Sequence, residues 1–359
     1  MMIEQRIERL RNALPAQVDA ALIVSGVNRR YYTGMPSSAG TLLVMRDHAE
    51  LLIDFRYIEK AKSVAQGCTV TLQQGAAFNQ LGALAQKHSI KTVAVETRHM
   101  TVSEFESWKK AMPEVTFLAG RLLDDIIVLH RSVKTAEELA VMRQAQAITD
   151  RSFTEILNFI RVGRTEREVA GELAHIMRKL GSDGLAFDTI AVSGKNSAMP
   201  HGVPTDKAIE SGDFFTLDFG ALKDGYCSDM TRTVAVGSVC DAQQNVYDAV
   251  LTAQNKAFEV IKAGASCKVV DYAARSFIED AGYKGCFGHA LGHSLGLEIH
   301  EEPRFSPMAE TFAVAGNVLS VEPGIYLAGK FGVRIEDVVV VTETGFENLT
   351  HSPKHLIIL

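Results

Sequence analysis

Little in this chain invites redox, nucleic-acid or membrane chemistry. Its five cysteines, Cys68, Cys227, Cys240, Cys267 and Cys286, are scattered, odd in number and never spaced as Cys-x-x-Cys. A disulfide framework and a thiolate zinc site are both unsupported, and reduced thiols are expected. No apolar run approaches the ~18 residues that a membrane span needs. Residues 1–11 are charged and amphipathic and lack a basic segment followed by an apolar one. No secretory leader is therefore expected, and a cytoplasmic protein is. No Gly-x-Gly-x-x-Gly follows an apolar strand-like run within residues 1–130, which argues against a nucleotide site there. The net charge is only −6, so no global field would draw the protein to nucleic acid or to an anionic membrane.

What the chain does have is core-forming sequence in quantity. It is 359 residues long, 47% hydrophobic and 22% charged, which predicts a soluble globular protein of two domains or one large one. Residues 1–130 read as an α/β unit. Apolar strand-like runs at 20–25, 41–45 and 50–55 alternate with helical stretches such as 78–88 and 103–112. Residues 129–135 read as a connector, followed by an amphipathic helix over 136–160. Thr165 and Glu168 form a capping box that opens a helix through Leu180, stopped by Gly181. Strand formers fill 187–193 and 213–236. The order then recurs, with helices at 242–262 and 269–281 and strand-like sequence to the end. Residues 131–359 thus contain helix, helix and strands twice over. Two such halves would leave a groove between them, a natural ligand site.

Four carboxylates and three histidines stand out in this second region. Asp218 and Asp229 flank the turn dipeptide Asp224-Gly225. A two-residue hairpin turn there opposes Asp218 to Thr231 and Asp229 to Gly220, and alternation puts both aspartates on one face. Their neighbours Phe215, Leu217 and Phe219 are core-like, and a lone buried carboxylate is costly. Glu322 ends an apolar strand, and Glu336 sits inside the apolar run 333–341. A bend near Gly329 would bring the two opposite one another. His289, His293 and His300 fall within twelve residues, interleaved with glycines that let backbone approach a ligand. His201, in Met199-Pro200-His201-Gly202, is a further candidate in a loop. Carboxylates set in apolar strands need partners, and four of them with one imidazole can hold two divalent cations.

Five segments together carry a resemblance. They are Thr216-Leu217-Asp218-Phe219-Gly220, Cys227-Ser228-Asp229-Met230-Thr231-Arg232-Thr233, the run from His289 to Glu301, Val321-Glu322-Pro323-Gly324-Ile325-Tyr326, and Gly332-Val333-Arg334-Ile335-Glu336-Asp337. In this order they resemble the pita-bread metallopeptidases of family M24, within it the branch of Xaa-Pro aminopeptidases (aminopeptidase P) and prolidases. Asp54-Phe55-Arg56-Tyr57 resembles that branch's N-terminal domain. The resemblance implies an α/β (α+β) fold: a creatinase-like domain over 1–130 and a pita-bread catalytic domain with pseudo-two-fold halves over 131–359. It implies two divalent metal ions, Mn²⁺ foremost, with Co²⁺, Zn²⁺ or Fe²⁺ as alternatives. Asp218 would bind one metal, Asp229 and Glu336 would bridge both, and His293 with Glu322 would complete the second. Glu322 would also take the proton from the bridging water. His201 and His300 would bind substrate and stabilise the tetrahedral intermediate. His289, Arg334 and Tyr326 match substrate-pocket positions, and Arg304 lies where a prolidase-type Arg can meet a dipeptide carboxylate. Ser294 stands where the family usually has Gly, and it is expected to narrow the pocket slightly.

The implied function is hydrolysis of the N-terminal Xaa-Pro bond of short peptides by a homodimer, without nucleic-acid or membrane partners. A strict Xaa-Pro dipeptidase is the main alternative. A methionine aminopeptidase normally lacks a separate domain before the catalytic one. A non-catalytic relative, or a metal-free amidinohydrolase of the creatinase kind, would have lost ligand residues that are all present here.

Overall fold

The structure is a computed structural model describing residues 3–359; Met1 and Met2, which begin the amphipathic N-terminal stretch, lie outside the described residues. The chain forms two compact units, one ending at Arg131 and one covering Ser132–Leu359.

The first unit is built on a six-stranded mixed sheet. From edge to edge its strands are Thr69–Leu72, Ala49–Ile53, Thr41–Met45, Ala20–Ile23, Thr92–Val95 and Thr116–Leu118. Three strands, Ala20–Ile23, Thr41–Met45 and Ala49–Ile53, are buried along their whole length. That explains why they read as continuous apolar runs rather than as alternating ones. Helices Ala77–Lys87 and Val102–Ala111 bring Leu81, Ala85 and Trp108 onto Leu22, Leu43 and Val93 of the sheet. Burying a large side chain of this kind contributes about 1.5–3 kcal/mol over leaving it exposed. The expected connector at 129–135 is shorter than its sequence implied. Helix Leu122–Ser132 runs through most of it, because Leu123, Ile127, His130 and Arg131 form one buried stripe.

In the second unit the recurring element order is a recurring architecture. The first half pairs helices Ala136–Ile156 and Glu166–Lys179 with an antiparallel sheet of Ile190–Ser193, Phe214–Phe219 and Met230–Ala235. Phe153, Ile156, Leu173 and Met177 pack on Phe215, Leu217 and Val234. The second half pairs Asp241–Phe258 and Cys267–Ile278 with a five-stranded sheet. There Val250, Ala253, Val270 and Ala274 share a core with Leu319, Val321, Val339 and Val341. Both first-half helices open on capping boxes, Thr135 with Glu138 and Thr165 with Glu168. Gly181, at φ 100°, lets the chain turn away after the second helix. Some elements are shorter than expected, among them the helix expected over 242–262, which ends at Phe258. The long helix stops at Ile156, with turns over 157–159, and within 187–193 only Ile190–Ser193 is strand.

Two hairpins set the positions that matter. Asp224 and Gly225 both take positive φ, 43° and 78°, as a two-residue type I′ turn requires. The register that follows places Thr231 opposite Asp218 and Cys227 opposite Leu222. The strand pair breaks at Gly220 and at Ser228-Asp229, and Asp229 sits in the break. No side chain fits at Gly220, because a Cβ would lie 1.9 Å from the Ser228 carbonyl oxygen. The second hairpin bends at Gly329, with φ 74°. Val321 pairs with Asp337 and Gly324 with Arg334 in one continuous register, so Glu322 and Glu336 occupy opposed positions between the two ladders. No helix among the described residues is long and apolar enough to cross a membrane.

Candidate metal centre and substrate pocket

A cavity of about 650 Å³ opens between the two halves of the second unit. Asp218 and Asp229 reach it from the first half; His289, His293, His300, Arg304, Glu322, Arg334 and Glu336 reach it from the second, and His201 comes from the loop after the short helical turn Gly194–Ala198. Phe187, Ile190, Val203 and Ile299 supply apolar wall. Tyr326 stands one layer behind, bonded to His289 and Arg334 and outside the cavity lining.

The tightest cluster is Asp229, His293 and Glu336, whose ligand-type atoms all lie within 4.8 Å of one another. His293 Nδ1 is 3.2 Å from the Ser294 carbonyl oxygen. A carbonyl only accepts, so Nδ1 carries the proton and Nε2 keeps its lone pair. That Nε2 faces the acids, 3.6 Å from Asp229 Oδ2 and 3.3 Å from Glu322 Oε1. Burial, with His300 next, holds the His293 imidazole down at about 3, so it is neutral and ligand-ready.

The four acids are short of positive partners; Arg334 bonds Asp218. Burial pushes Asp229 and Glu336 well above the usual carboxylate range, and the neighbouring acids push them further. Glu322 rises to about 7 by burial, against the pull of Arg334. Asp218 Oδ1 and Asp229 Oδ1 are buried with no hydrogen-bond partner in the structure. Orphaned acceptors in an acid cluster, facing a bare imidazole nitrogen, fit divalent cations and nothing simpler.

Sequence reasoning missed the residues that aim these groups. Thr231 Oγ1 donates to Glu336 Oε2 at 2.7 Å and accepts from Arg334 Nε at 3.0 Å. Ser320 Oγ accepts the His293 backbone N–H and donates to Glu322 Oε1, both at 3.0 Å. The hairpin register had already set Thr231 opposite Asp218, which was the available signal; Ser320, two residues before Glu322 on one strand face, was the other. Gln146, on the long helix, accepts the Asp229 N–H at 3.4 Å, and no periodicity pointed to it.

Arg334 is buried and all its reach is committed. It donates to Asp218 Oδ2 at 2.5 Å, to the Tyr326 hydroxyl at 2.8 Å and to the Pro200 carbonyl at 3.1 Å, besides Thr231. Tyr326 in turn is 2.8 Å from His289 Nε2, whose Nδ1 is 2.8 Å from the Ala290 carbonyl. By the argument used for His293, His289 Nδ1 is protonated and Tyr326 donates to Nε2. Burial is the main cause that lowers His289 to about 4 and raises Tyr326 to about 12. His300 packs edge-on to His293, ring centroids 4.4 Å apart. Its pKa is lowered by burial and then by Arg304. Arg304 is half-exposed, 3.5 Å from Glu302. Ser294 does not narrow the pocket: its hydroxyl is fully buried, donates to the Val318 carbonyl at 2.7 Å, and lies outside the lining.

Comparison with known proteins gives this geometry a family. The profile of Metallopeptidase family M24 matches residues 140–343, and that of the Creatinase/Prolidase N-terminal domain matches residues 6–123. The chain is 37% identical to an Xaa-Pro dipeptidase of Pyrococcus furiosus over 99% of this chain and 100% of that protein. Among solved structures, an Xaa-Pro dipeptidase from Bacillus anthracis superposes with a TM-score of 0.95 at 40% identity, covering 100% of both chains. An X-Pro aminopeptidase from Thermotoga maritima superposes with a TM-score of 0.91 at 38% identity, covering 99% of this chain and 100% of that one. The chain belongs to metallopeptidase family M24 and carries that family's creatinase/prolidase-type N-terminal domain.

Proposed function

We propose that the protein is a dinuclear-metal Xaa-Pro peptidase that hydrolyses the bond before proline in short peptides, dipeptides included. The observation that carries this is the single cavity that gathers Asp218, Asp229, Glu322 and Glu336 around His293, with His201, His289 and His300 on its walls. Names among relatives support the Xaa-Pro class and straddle dipeptidase and aminopeptidase.

Asp218, Asp229, His293, Glu322 and Glu336 would hold the cations, with Mn²⁺ the first to test. When bound, the cations polarise the scissile carbonyl and make a water nucleophilic near neutral pH. Glu322, its Oε1 steadied by Ser320, accepts the water's proton and passes it to the departing proline nitrogen. His300 and His201 donate to the oxygen on which negative charge develops, an interaction stronger in the transition state than before it. Tyr326 and Arg334 hold His289 and Asp218 in place. The same reading takes the active form as a homodimer, which sedimentation would test.

Arg304 favours a second reading. Its guanidinium in the lining could pair with the free carboxylate of a dipeptide, and a strict dipeptidase would depend on it. Chelator-stripped protein reloaded with Mn²⁺, Co²⁺ or Zn²⁺ should be assayed on Ala-Pro, Ala-Pro-Ala and Ala-Ala-Ala, in wild type and Arg304→Ala. Cleavage of both proline peptides is expected. Activity confined to Ala-Pro and lost in Arg304→Ala would select the dipeptidase. Equal cleavage of Ala-Ala-Ala would overturn the Xaa-Pro assignment.

A further inference from the structure

His201 lines the cavity, yet its imidazole makes no hydrogen bond among the described residues. His201 is exposed, so its position at the cavity is set by the backbone that carries it. That backbone is the loop 194–204, and one buried carboxylate closes its neck. Glu166, the first residue of helix Glu166–Lys179, is fully buried. Its Oε1 accepts the Ser193 N–H at 2.7 Å, the Ser193 hydroxyl at 3.1 Å and Asn196 Nδ2 at 3.0 Å. Its Oε2 accepts the Thr205 N–H at 3.0 Å and the Thr205 hydroxyl at 2.6 Å, and is 3.2 Å from Asn196 Nδ2. Ser193 is the residue before the loop and Thr205 the residue after it. The crown is tied separately, where the Pro200 carbonyl accepts from Arg334 and Ser197 Oγ accepts the Gly332 N–H at 2.9 Å.

We propose that Glu166 is a positioning residue for His201, gathering both ends of its loop on one carboxylate so that the imidazole is presented to the cavity. Glu166 is outside the cavity lining. The Ser193 N–H meets one oxygen and the Thr205 N–H the other, so a carboxamide in the same place would turn its NH2 donor towards one of these two N–H groups. Burying that carboxylate is costly unless every oxygen is satisfied, which is the arrangement found. Loss of one neck contact lets the loop drift, and a drift of about 1 Å in a catalytic group lowers turnover on the order of 100-fold.

The inference rests on the Xaa-Pro peptidase reading for its substrate and for the role of His201. In Glu166→Gln, kcat on Ala-Pro should fall roughly 10- to 100-fold while bound metal per chain is unchanged. In a His201→Ala background the same substitution should produce no further loss, because its effect runs through His201. Amide hydrogen exchange over 194–205 should speed up in Glu166→Gln whether or not any peptide is cleaved. If wild-type protein fails to cleave Ala-Pro, the peptidase reading fails, and the exchange measurement still decides the role of Glu166. Losses that multiply across the two substitutions, or unchanged exchange, would overturn the proposal. Should Glu166→Gln not fold, Thr205→Val removes one neck hydroxyl and is taken through the same cycle with His201→Ala. Independent losses there overturn it equally.

Discussion

Besides Arg334, a second buried cation joins the two halves of the site, and replacing that residue, Arg232, by Met tests how much of the catalytic unit depends on it. Arg232 follows Thr231 on the first-half hairpin and is 1% exposed. Its guanidinium donates to Asp337 Oδ1 at 2.7 Å, to the carbonyls of Pro353 and Ser352 at 3.0 and 2.8 Å, and to the carbonyls of Thr231 and Glu336 at 2.9 and 2.5 Å. It therefore fastens the strand that follows Asp229 to the segment carrying Glu336 and Asp337 and to the C-terminal segment. Methionine matches the length and removes every donor. Breaking a buried ion pair on one side costs about 3–5 kcal/mol. Asp337 keeps Lys354 Nζ at 2.8 Å and Asn348 Nδ2 at 2.8 Å, which sets the expected loss at the lower end, about 3 kcal/mol. At ~2–4 °C per kcal/mol for a domain of this size, the melting temperature should drop by roughly 6–12 °C. Arg232→Lys keeps the charge but not the fork and should fall between. Calorimetry on metal-loaded and chelator-treated protein measures this, and the loss should be larger with metal, since the link between Asp229 and Glu336 is what metal binding uses. A melting temperature within about 2 °C of wild type, with full metal content, would refute the reasoning.

Three further outcomes are expected. Asp229→Asn should lower bound metal and turnover together, because an amide withdraws charge from the cluster; elemental analysis beside a turnover assay checks it, and two bound metals at full activity would remove Asp229 from the centre. His300→Ala should lower kcat far more than it raises KM, by about 100-fold if it supports a developing oxyanion; steady-state kinetics at unchanged metal content measures the split, and a near-normal kcat would make His300 structural. His130, 3% exposed in the first unit and bonded to the Tyr32 hydroxyl at 3.0 Å, is lowered to about 4, chiefly by burial. The unfolded chain therefore binds the proton first as pH falls, so stability is full above pH ~6.5 and is lost towards pH 4, by roughly 2 kcal/mol after screening; urea titrations of wild type and His130→Gln across that window should show a shallower pH slope in the variant.

How much of this was legible before the structure depended on the range over which each signal acts. Asp224-Gly225 fixes two φ angles locally, and from them the register of Asp218 against Thr231 follows by counting. The bend at Gly329 works the same way for Glu322 and Glu336. The capping box at Thr165 was likewise local, written in residues three apart. What escaped was long-range and chemically ordinary. Glu166 reads as the first turn of a helix, where acids are favoured anyway, and nothing in its neighbourhood announces partners 27 and 39 residues away. Arg334 reads as a pocket cation, yet its donors meet Thr231, Asp218 and Pro200, each about a hundred residues or more distant. The connector at 129–135 was misread because Arg131 and His130 look like surface residues in sequence, whereas both are buried in the first unit. Ser294 was misread for the opposite reason: a neighbour of a ligand-type His is not thereby in the pocket, since successive side chains in a strand point to opposite faces. Groups of the ligand and pocket type can thus be found by local pattern, while the groups that aim them are found only once the chain has folded back on itself.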